Sequence, residues 1–85
     1  MVNLFCRICG HEHEEPQWGP DGQCPLFEIC PCCGAESGYE DGTAPAIQAY
    51  RKAWLAQGAA WFSPMYRPAH WDLARQLESV PAEFR

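Results

Sequence analysis

The sequence predicts a small α+β fold in which two short β-hairpins precede one longer and one short C-terminal helix. Two turns of the form Cys-x-x-Cys-Gly, at 6–10 and 30–34, each follow a short apolar segment that suits a strand. Beyond residue 43, apolar side chains recur at the three- and four-residue spacing of a helix. A chain of 85 residues forms one domain, 1–85, which we divide into a cysteine-rich part, 1–42, and a helical, aromatic-rich part, 43–85.

Composition and charge exclude several classes of protein. The chain is 47% hydrophobic, as globular proteins are, and carries 11 acidic against six basic residues, for a net charge of −5. The basic residues are scattered, whereas nucleic-acid-binding domains concentrate them in a patch. No apolar run is long enough to span a membrane, and the first five residues form no secretion signal. We therefore expect a cytoplasmic protein that binds neither nucleic acid nor membrane, and whose acidic surface suits a basic protein partner.

The two cysteine turns together supply four thiolates, which is the ligand set of one tetrahedral metal site. The glycine after each second cysteine tolerates the positive φ that closes such a turn. In a reducing compartment clustered cysteines bind metal more often than they pair, although six cysteines also permit a disulfide framework. The sequence therefore predicts one structural Zn²⁺, with iron as the alternative because an S₄ site accepts either ion. The predicted ligands are Cys6, Cys9, Cys30 and Cys33.

Two cysteines remain outside this ligand set. In the second turn, Gly34 marks Cys33 as the partner of Cys30 and leaves Cys32 in the variable position. The competing register, Cys30 with Cys32, would lack the closing glycine. Cys24 precedes a proline at the end of the loop between the turns. We interpret both spare cysteines as small apolar residues or inert thiols, with a redox-active thiol as the alternative.

The sequence offers three histidines as candidate bases for catalysis, His11, His13 and His70, but no catalytic motif that would use them. A catalytic zinc keeps one position open for water or substrate, whereas four thiolates close the site. His11 and His13 lie close to the first turn, but with four cysteines available neither is needed as a ligand. The sequence contains no nucleophile elbow, phosphate-binding loop or metalloprotease motif, so we do not expect an enzyme.

Short strands are expected to lead into both cysteine turns. Leu4 and Phe5 precede Cys6, and the alternating segment Phe27-Glu28-Ile29 leads to Cys30. A strand before each turn, with a long loop between the turns, gives a zinc-ribbon or rubredoxin-like arrangement of metal-bound β-hairpins.

The longer helix follows the hairpins. Thr43 or Ala44 is predicted to cap its start, and it is predicted to end near Gln57, before a glycine. Its apolar face, which should pack on the hairpins, consists of Ile47, Tyr50 and Trp54. Arg51 is expected to lie mostly outside this face.

The shorter helix is predicted to run from Leu73 to about Ser79, with Asp72 as its cap and Trp71 folding back on it. Its buried side is expected to consist of Leu73, Leu77 and Val80. The last five residues, 81–85, are expected to form a tail with Phe84 either docked or loose.

The cysteine turns resemble those of the bacterial cysteine-rich CPCC proteins, a family of small zinc-ribbon-like chains of largely unassigned function. The Cys-Pro-Cys-Cys string at 30–33 carries the likeness, together with the segments 6–10, 27–29, 38–41 and 50–54. The resemblance implies a bacterial cytoplasmic metal-binding domain and no known reaction. The paired Cys-x-x-Cys-Gly turns are also similar to those of rubredoxins, and that likeness is confined to the turns.

These observations together predict a non-catalytic protein-interaction module held together by a structural zinc. One specific form is an immunity or antitoxin-like protein that masks a basic toxin, since the chain is small and acidic. Two alternatives remain open at this point. One is a rubredoxin-like iron electron carrier, and the other is a thiol-redox protein that uses Cys24 or Cys32.

Overall fold

Helices and turns make up the regular structure of the molecule. The structure is a computed structural model that describes residues 3–85; Met1 and Val2, which begin the predicted cysteine-rich part, lie outside the described residues. Helix α1 spans Ala44–Ala56 and helix α2 spans Leu73–Leu77, with single 3₁₀ turns at Pro64–Tyr66 and Ala82–Phe84. Within residues 3–85, no helix has both the length and the apolar character that a membrane crossing requires.

The predicted strands at 4–5 and 27–29 do not form. Each is reduced to one antiparallel β-bridge, Phe5 with Glu12 and Ile29 with Glu36, so the zinc-ribbon hairpins are not confirmed in the part of the chain that the structure describes. Phe27 gives one physical reason, because its φ of 57° lies in the left-handed region and interrupts an extended segment. Beside each bridge one further backbone bond forms, from His13 N–H to the carbonyl of Leu4 (2.8 Å) and from Ser37 N–H to the carbonyl of Glu28 (3.0 Å).

Both cysteine turns have the same backbone, repeated at an interval of 24 residues. In the first turn Cys6 N–H donates to the carbonyl of His11 (2.8 Å) and Gly10 N–H donates to the carbonyl of Cys6 (3.0 Å). In the second turn the equivalent bonds run from Cys30 to Ala35 (2.9 Å) and from Gly34 to Cys30 (2.9 Å). The closing glycines have φ values of 82° and 79°, which a side chain would strain.

Helix α1 agrees with its prediction in extent and in its buried face. The Thr43 hydroxyl accepts a hydrogen bond from the amide of Ala46 (3.2 Å), which caps the first turn as expected. Ile47 and Trp54 are buried and Tyr50 packs against them at the edge of the core. The helix therefore lies across the cysteine turns on the face that the sequence predicts.

Helix α2 is shorter than predicted and ends at Leu77, although Asp72 caps it through the amide of Arg75 (3.2 Å). The next residues form tighter bonds, such as the one from Val80 N–H to the carbonyl of Leu77 (3.1 Å). Because Pro81 follows, the helical conformation is disfavoured at Val80, and a helix does not readily continue through that residue. Val80 is buried as expected.

Two aromatic side chains attach the C-terminal segment to the rest of the molecule. Trp71 folds back as predicted, and its indole N–H donates to Oε1 of Gln76 (2.6 Å). Phe84 is docked, since it packs against the core from its 3₁₀ turn. The C-terminal residues are therefore part of the fold.

The core is built around sulfur. Among the described residues, its buried apolar side chains include five cysteines, as many as the branched aliphatic and aromatic side chains together. The others are Ile8, Ala35, Ile47, Trp54, Ala59, Trp61 and Val80. So small an apolar core is marginal for stability, which makes whatever holds the cysteines together important for folding.

Candidate metal centre

The four cysteines predicted as ligands meet at one buried point. Their sulfur atoms lie within 4.8 Å of one another, with 3.8 Å between Cys6 and Cys33 and 3.7 Å between Cys9 and Cys30. A tetrahedron with metal–sulfur bonds of about 2.3 Å has edges of about 3.8 Å. These four buried thiols could therefore hold a metal ion with Cys₄ coordination.

The two spare cysteines lie outside the cluster. Cys32 is fully buried, and its sulfur accepts a hydrogen bond from Nε2 of Gln76 (3.3 Å). It occupies the position in the second turn that Ile8, also fully buried, occupies in the first, so it packs as an apolar residue does. Cys24 is exposed in the loop between the turns, and all six cysteines are free thiols.

The charge distribution within the cluster favours a cation. Hydrogen bonding with Cys33 lowers the pKa of Cys30 to about 6, and hydrogen bonding with Cys30 lowers the pKa of Cys6 well below its ordinary value. The same contacts with Cys30 raise the pKa values of Cys9 and Cys33. Four neighbouring thiols in a buried site cannot all ionise without a compensating positive charge. A bound divalent cation would supply that charge and allow all four sulfurs to become ligands.

The two histidines near the first turn border the cluster without belonging to it. Burial disfavours the charged form of His13, but the neighbouring sulfurs of Cys30 and Cys6 outweigh burial and raise its pKa to about 9. The ring of His11 packs edge-on against Trp61, with the ring centroids 5.5 Å apart. The structure thus brings together the four predicted cysteines and leaves both histidines outside the cluster.

Side chains from both helices anchor the backbone of the first turn. The Arg51 guanidinium donates to the carbonyls of Ile8 (2.7 Å), Arg7 (2.8 Å) and Phe84 (2.6 Å). Nε2 of Gln76 donates to the carbonyl of Cys9 (3.1 Å). Neither anchor follows from the sequence patterns. The one signal for Arg51 is its position directly after Tyr50 of the buried face.

The second turn is anchored mainly by backbone amides. Phe62 N–H donates to the carbonyl of Cys32 (3.0 Å), and Ser63 N–H donates to the carbonyl of Pro31 (2.8 Å). One side chain contributes, because the Tyr50 hydroxyl donates to the carbonyl of Cys33 (2.9 Å). The carbonyls around the cysteines are therefore satisfied on both sides of the cluster, as buried polar groups must be.

Comparison with known proteins finds two relatives, both from Bacillus subtilis (strain 168). The chain is 35% identical over 69 residues to the uncharacterized protein YoaQ, an alignment that covers 62% of this chain and 58% of YoaQ. It is 29% identical over 102 residues to the uncharacterized protein YozI, covering all of this chain and 74% of YozI. The chain thus spans less than two thirds of YoaQ.

Broader comparisons add no assignment. No family model matches the chain, so membership of the CPCC family stays a prediction. No solved structure matches it either. The chemistry of the cysteine cluster and of the surface is therefore the basis for a functional proposal.

Proposed function

We propose that this protein binds one structural Zn²⁺ through Cys6, Cys9, Cys30 and Cys33. The observation that carries the proposal is the spacing of the sulfurs, since the 3.7 and 3.8 Å pairs match the edges of a zinc–thiolate tetrahedron. Such a site contributes on the order of 10–16 kcal/mol of apparent binding free energy, which is ample to organise a small core.

A non-catalytic role follows from the same ligand set. Four thiolates complete a tetrahedron and leave no position for water or substrate, unlike the three-ligand sites of zinc enzymes. The cluster is also buried beneath α1 and the backbone turns. The metal is therefore proposed to stabilise a surface on which the function is carried.

That surface is proposed to bind another protein. Large apolar side chains are exposed in two regions, the segment before the second turn and the 3₁₀ turn after α1. They include Phe27 in the first region, and Phe62, Met65 and Tyr66 in and just before the second. Exposed aromatic residues and methionine are enriched at protein interfaces. With a net charge of −5, the chain suits a basic partner, and an immunity or antitoxin-like protein that masks a basic toxin is the specific form that we propose.

The metal proposal is tested by elemental analysis of the protein purified aerobically without added metal. We expect colourless protein with one zinc per chain. Coloured protein containing iron would contradict the zinc assignment and support the electron-carrier alternative. Cys30→Ser should lose the zinc, whereas the matched variant Cys24→Ser, which removes an exposed thiol, should retain it.

The interaction proposal is tested by affinity capture from bacterial cells, followed by titration of the purified partner in a calorimeter. We expect a saturable complex that forms with the zinc-loaded protein and not with Cys30→Ser. Failure of every purified candidate to bind would contradict the interaction role and leave the metal assignment unaffected.

A further inference from the structure

An acidic groove of about 730 Å³ lies between three segments of the chain. One wall follows the first cysteine turn and contributes Glu12, Glu14 and Glu15; Glu28 comes from the segment that enters the second turn. Phe62 and Tyr66 complete the lining from the region after α1. The volume is in the range of binding pockets and far exceeds what a single ion needs.

Negative charge predominates in the groove, where four carboxylates surround the imidazole of His13, whose pKa is raised to about 9. Its four glutamates are exposed, and its lining among the described residues contains no lysine or arginine. Several of the positive charges of the molecule are occupied elsewhere, since the guanidinium groups of Arg7, Arg51 and Arg85 donate to backbone carbonyls. The groove therefore attracts cations and repels the phosphates of nucleic acids and anionic lipids.

Apolar side chains lie beside these carboxylates. Phe62 and Tyr66 are 60% and 62% exposed, and Ile29 is exposed on the same groove. Aromatic faces attract ammonium and guanidinium groups, and apolar surface accommodates the methylene stems of lysine and arginine. A purely inorganic cation would make no use of this apolar surface.

Two residues of the groove also carry buried polar atoms without a partner. Nε2 of His13 and Oε1 of Gln17 make no hydrogen bond within the described part of the chain, and both residues line the groove. His13 is 9% exposed. Because these atoms are buried, they belong to the polar floor of the groove, and its exposed carboxylates are the groups that can contact a ligand.

We propose that this groove binds a lysine- and arginine-rich segment of a partner protein. The proposal rests on the interaction role proposed above and specifies the surface and the chemistry of the partner. The carboxylates bind the ammonium and guanidinium groups of the segment's side chains. Ile29, Phe62 and Tyr66 contact the methylene stems of the same side chains. An extended segment fits best, because the groove is formed by three separate loops.

The test is a titration of the zinc-loaded protein with an end-blocked octapeptide of alternating lysine and valine, followed by amide NMR shifts. Saturable shifts confined to residues of the groove are expected. A peptide of alternating glutamate and valine should cause none. Shifts spread over all acidic parts of the surface would overturn the proposal, because they indicate non-specific attraction.

Matched variants distinguish binding of the peptide in the groove from attraction by the net charge of the protein. Glu14→Gln combined with Glu28→Gln should weaken the affinity for the lysine peptide by about fivefold, which corresponds to the loss of two exposed ion pairs. The control, Glu78→Gln with Glu83→Gln, changes net charge equally at other exposed glutamates and should leave the affinity unchanged. Equal weakening by both pairs would overturn the proposal.

A second pair of variants tests the aromatic wall. Tyr66→Ala should weaken the peptide by about fivefold, whereas Tyr39→Ala, which removes a similarly exposed tyrosine outside the groove, should not. Tighter binding of Ca²⁺ alone than of the peptide would identify an ion site and overturn the proposal. Zinc content is measured in the same samples. One zinc per chain without peptide binding rejects the groove alone, and absence of zinc rejects the metal proposal independently.

Discussion

The two cysteine turns have the same backbone and are held in place in different ways. The first depends on long polar side chains, Arg51 and Gln76, that reach it from the helices. The second depends on backbone amides of Phe62 and Ser63, with one tyrosine hydroxyl in support. Equal local geometry therefore does not imply equal sensitivity to mutation, because a substitution removes a side-chain donor and leaves a backbone donor in place.

The position of each closing glycine shows a parallel difference. A Cβ at Gly10 would meet the backbone carbonyl of Gln76, which is fixed in helix α2. A Cβ at Gly34 would lie 2.9 Å from the ring of Phe62, a side chain that is largely exposed. The first turn thus packs against rigid backbone and the second against a side chain that can rotate.

Substitution of a metal ligand should have the largest effect. It should destabilise both turns equally, because both depend on the metal. Cys9→Ser and Cys33→Ser remove one ligand from opposite turns, and both should lose zinc and the dispersed amide spectrum of the folded core. The reason is that binding worth on the order of 10–16 kcal/mol holds both turns together. Elemental analysis and NMR measure this, with Cys24→Ser as the folded control. Retention of zinc by either ligand variant would contradict the Cys₄ assignment.

The next effect should distinguish the turns. Arg51→Met removes the donor to three carbonyls and should lower the free energy of unfolding by about 3–4 kcal/mol, since buried acceptors lose charged partners. Tyr50→Phe removes one donor from the second turn and should cost about 1 kcal/mol. Urea unfolding of the zinc-loaded proteins measures both, with exposed Lys52→Met as control. Equal losses for Arg51→Met and Tyr50→Phe would refute the proposed difference.

Alanine at the closing glycines should show a smaller difference. Both substitutions place a side chain at positive φ, which costs about 1–2 kcal/mol. Gly10→Ala should cost about 3 kcal/mol in total, because its Cβ also meets fixed backbone. Gly34→Ala should stay near the conformational cost, since the Phe62 ring can move. Thermal unfolding compares them, and a larger loss for Gly34→Ala would show that the second turn is the more tightly packed.

The smallest effect is expected at the variable positions of the turns. Cys32→Ala removes a buried sulfur and should cost about 1 kcal/mol while zinc remains at one per chain, because Cys32 packs where Ile8 packs in the first turn. Gln76 keeps its bond to the carbonyl of Cys9. Denaturant unfolding and elemental analysis are the two measurements. Loss of the metal in this variant would assign Cys32 to the ligand set.

Local sequence signals predicted much of the fold. The limits of α1 follow from Thr43 at its start and Gly58 beyond its end, and the closing glycines identified which cysteines belong together. The predicted strands at 4–5 and 27–29 do not form. A strand needs a partner of matching length and extended backbone, and an alternating pattern supplies neither. The predicted C-terminal end of α2, near Ser79, lies beyond its actual end at Leu77. The tighter turn before Pro81 outweighs the apolar pattern at Leu77 and Val80.

The sequence by itself determined the two cysteine turns, the register of the four clustered thiols, the caps of both helices and the buried face of α1. Each of these depends on residues within a few positions of one another. Only the tertiary structure decided that Arg51 and Gln76 anchor a turn 43 and 67 residues away, and that four glutamates meet two aromatic residues in one groove. A long polar side chain has no preferred partner until folding brings a buried carbonyl within its reach, and no spacing rule in the sequence encodes that approach.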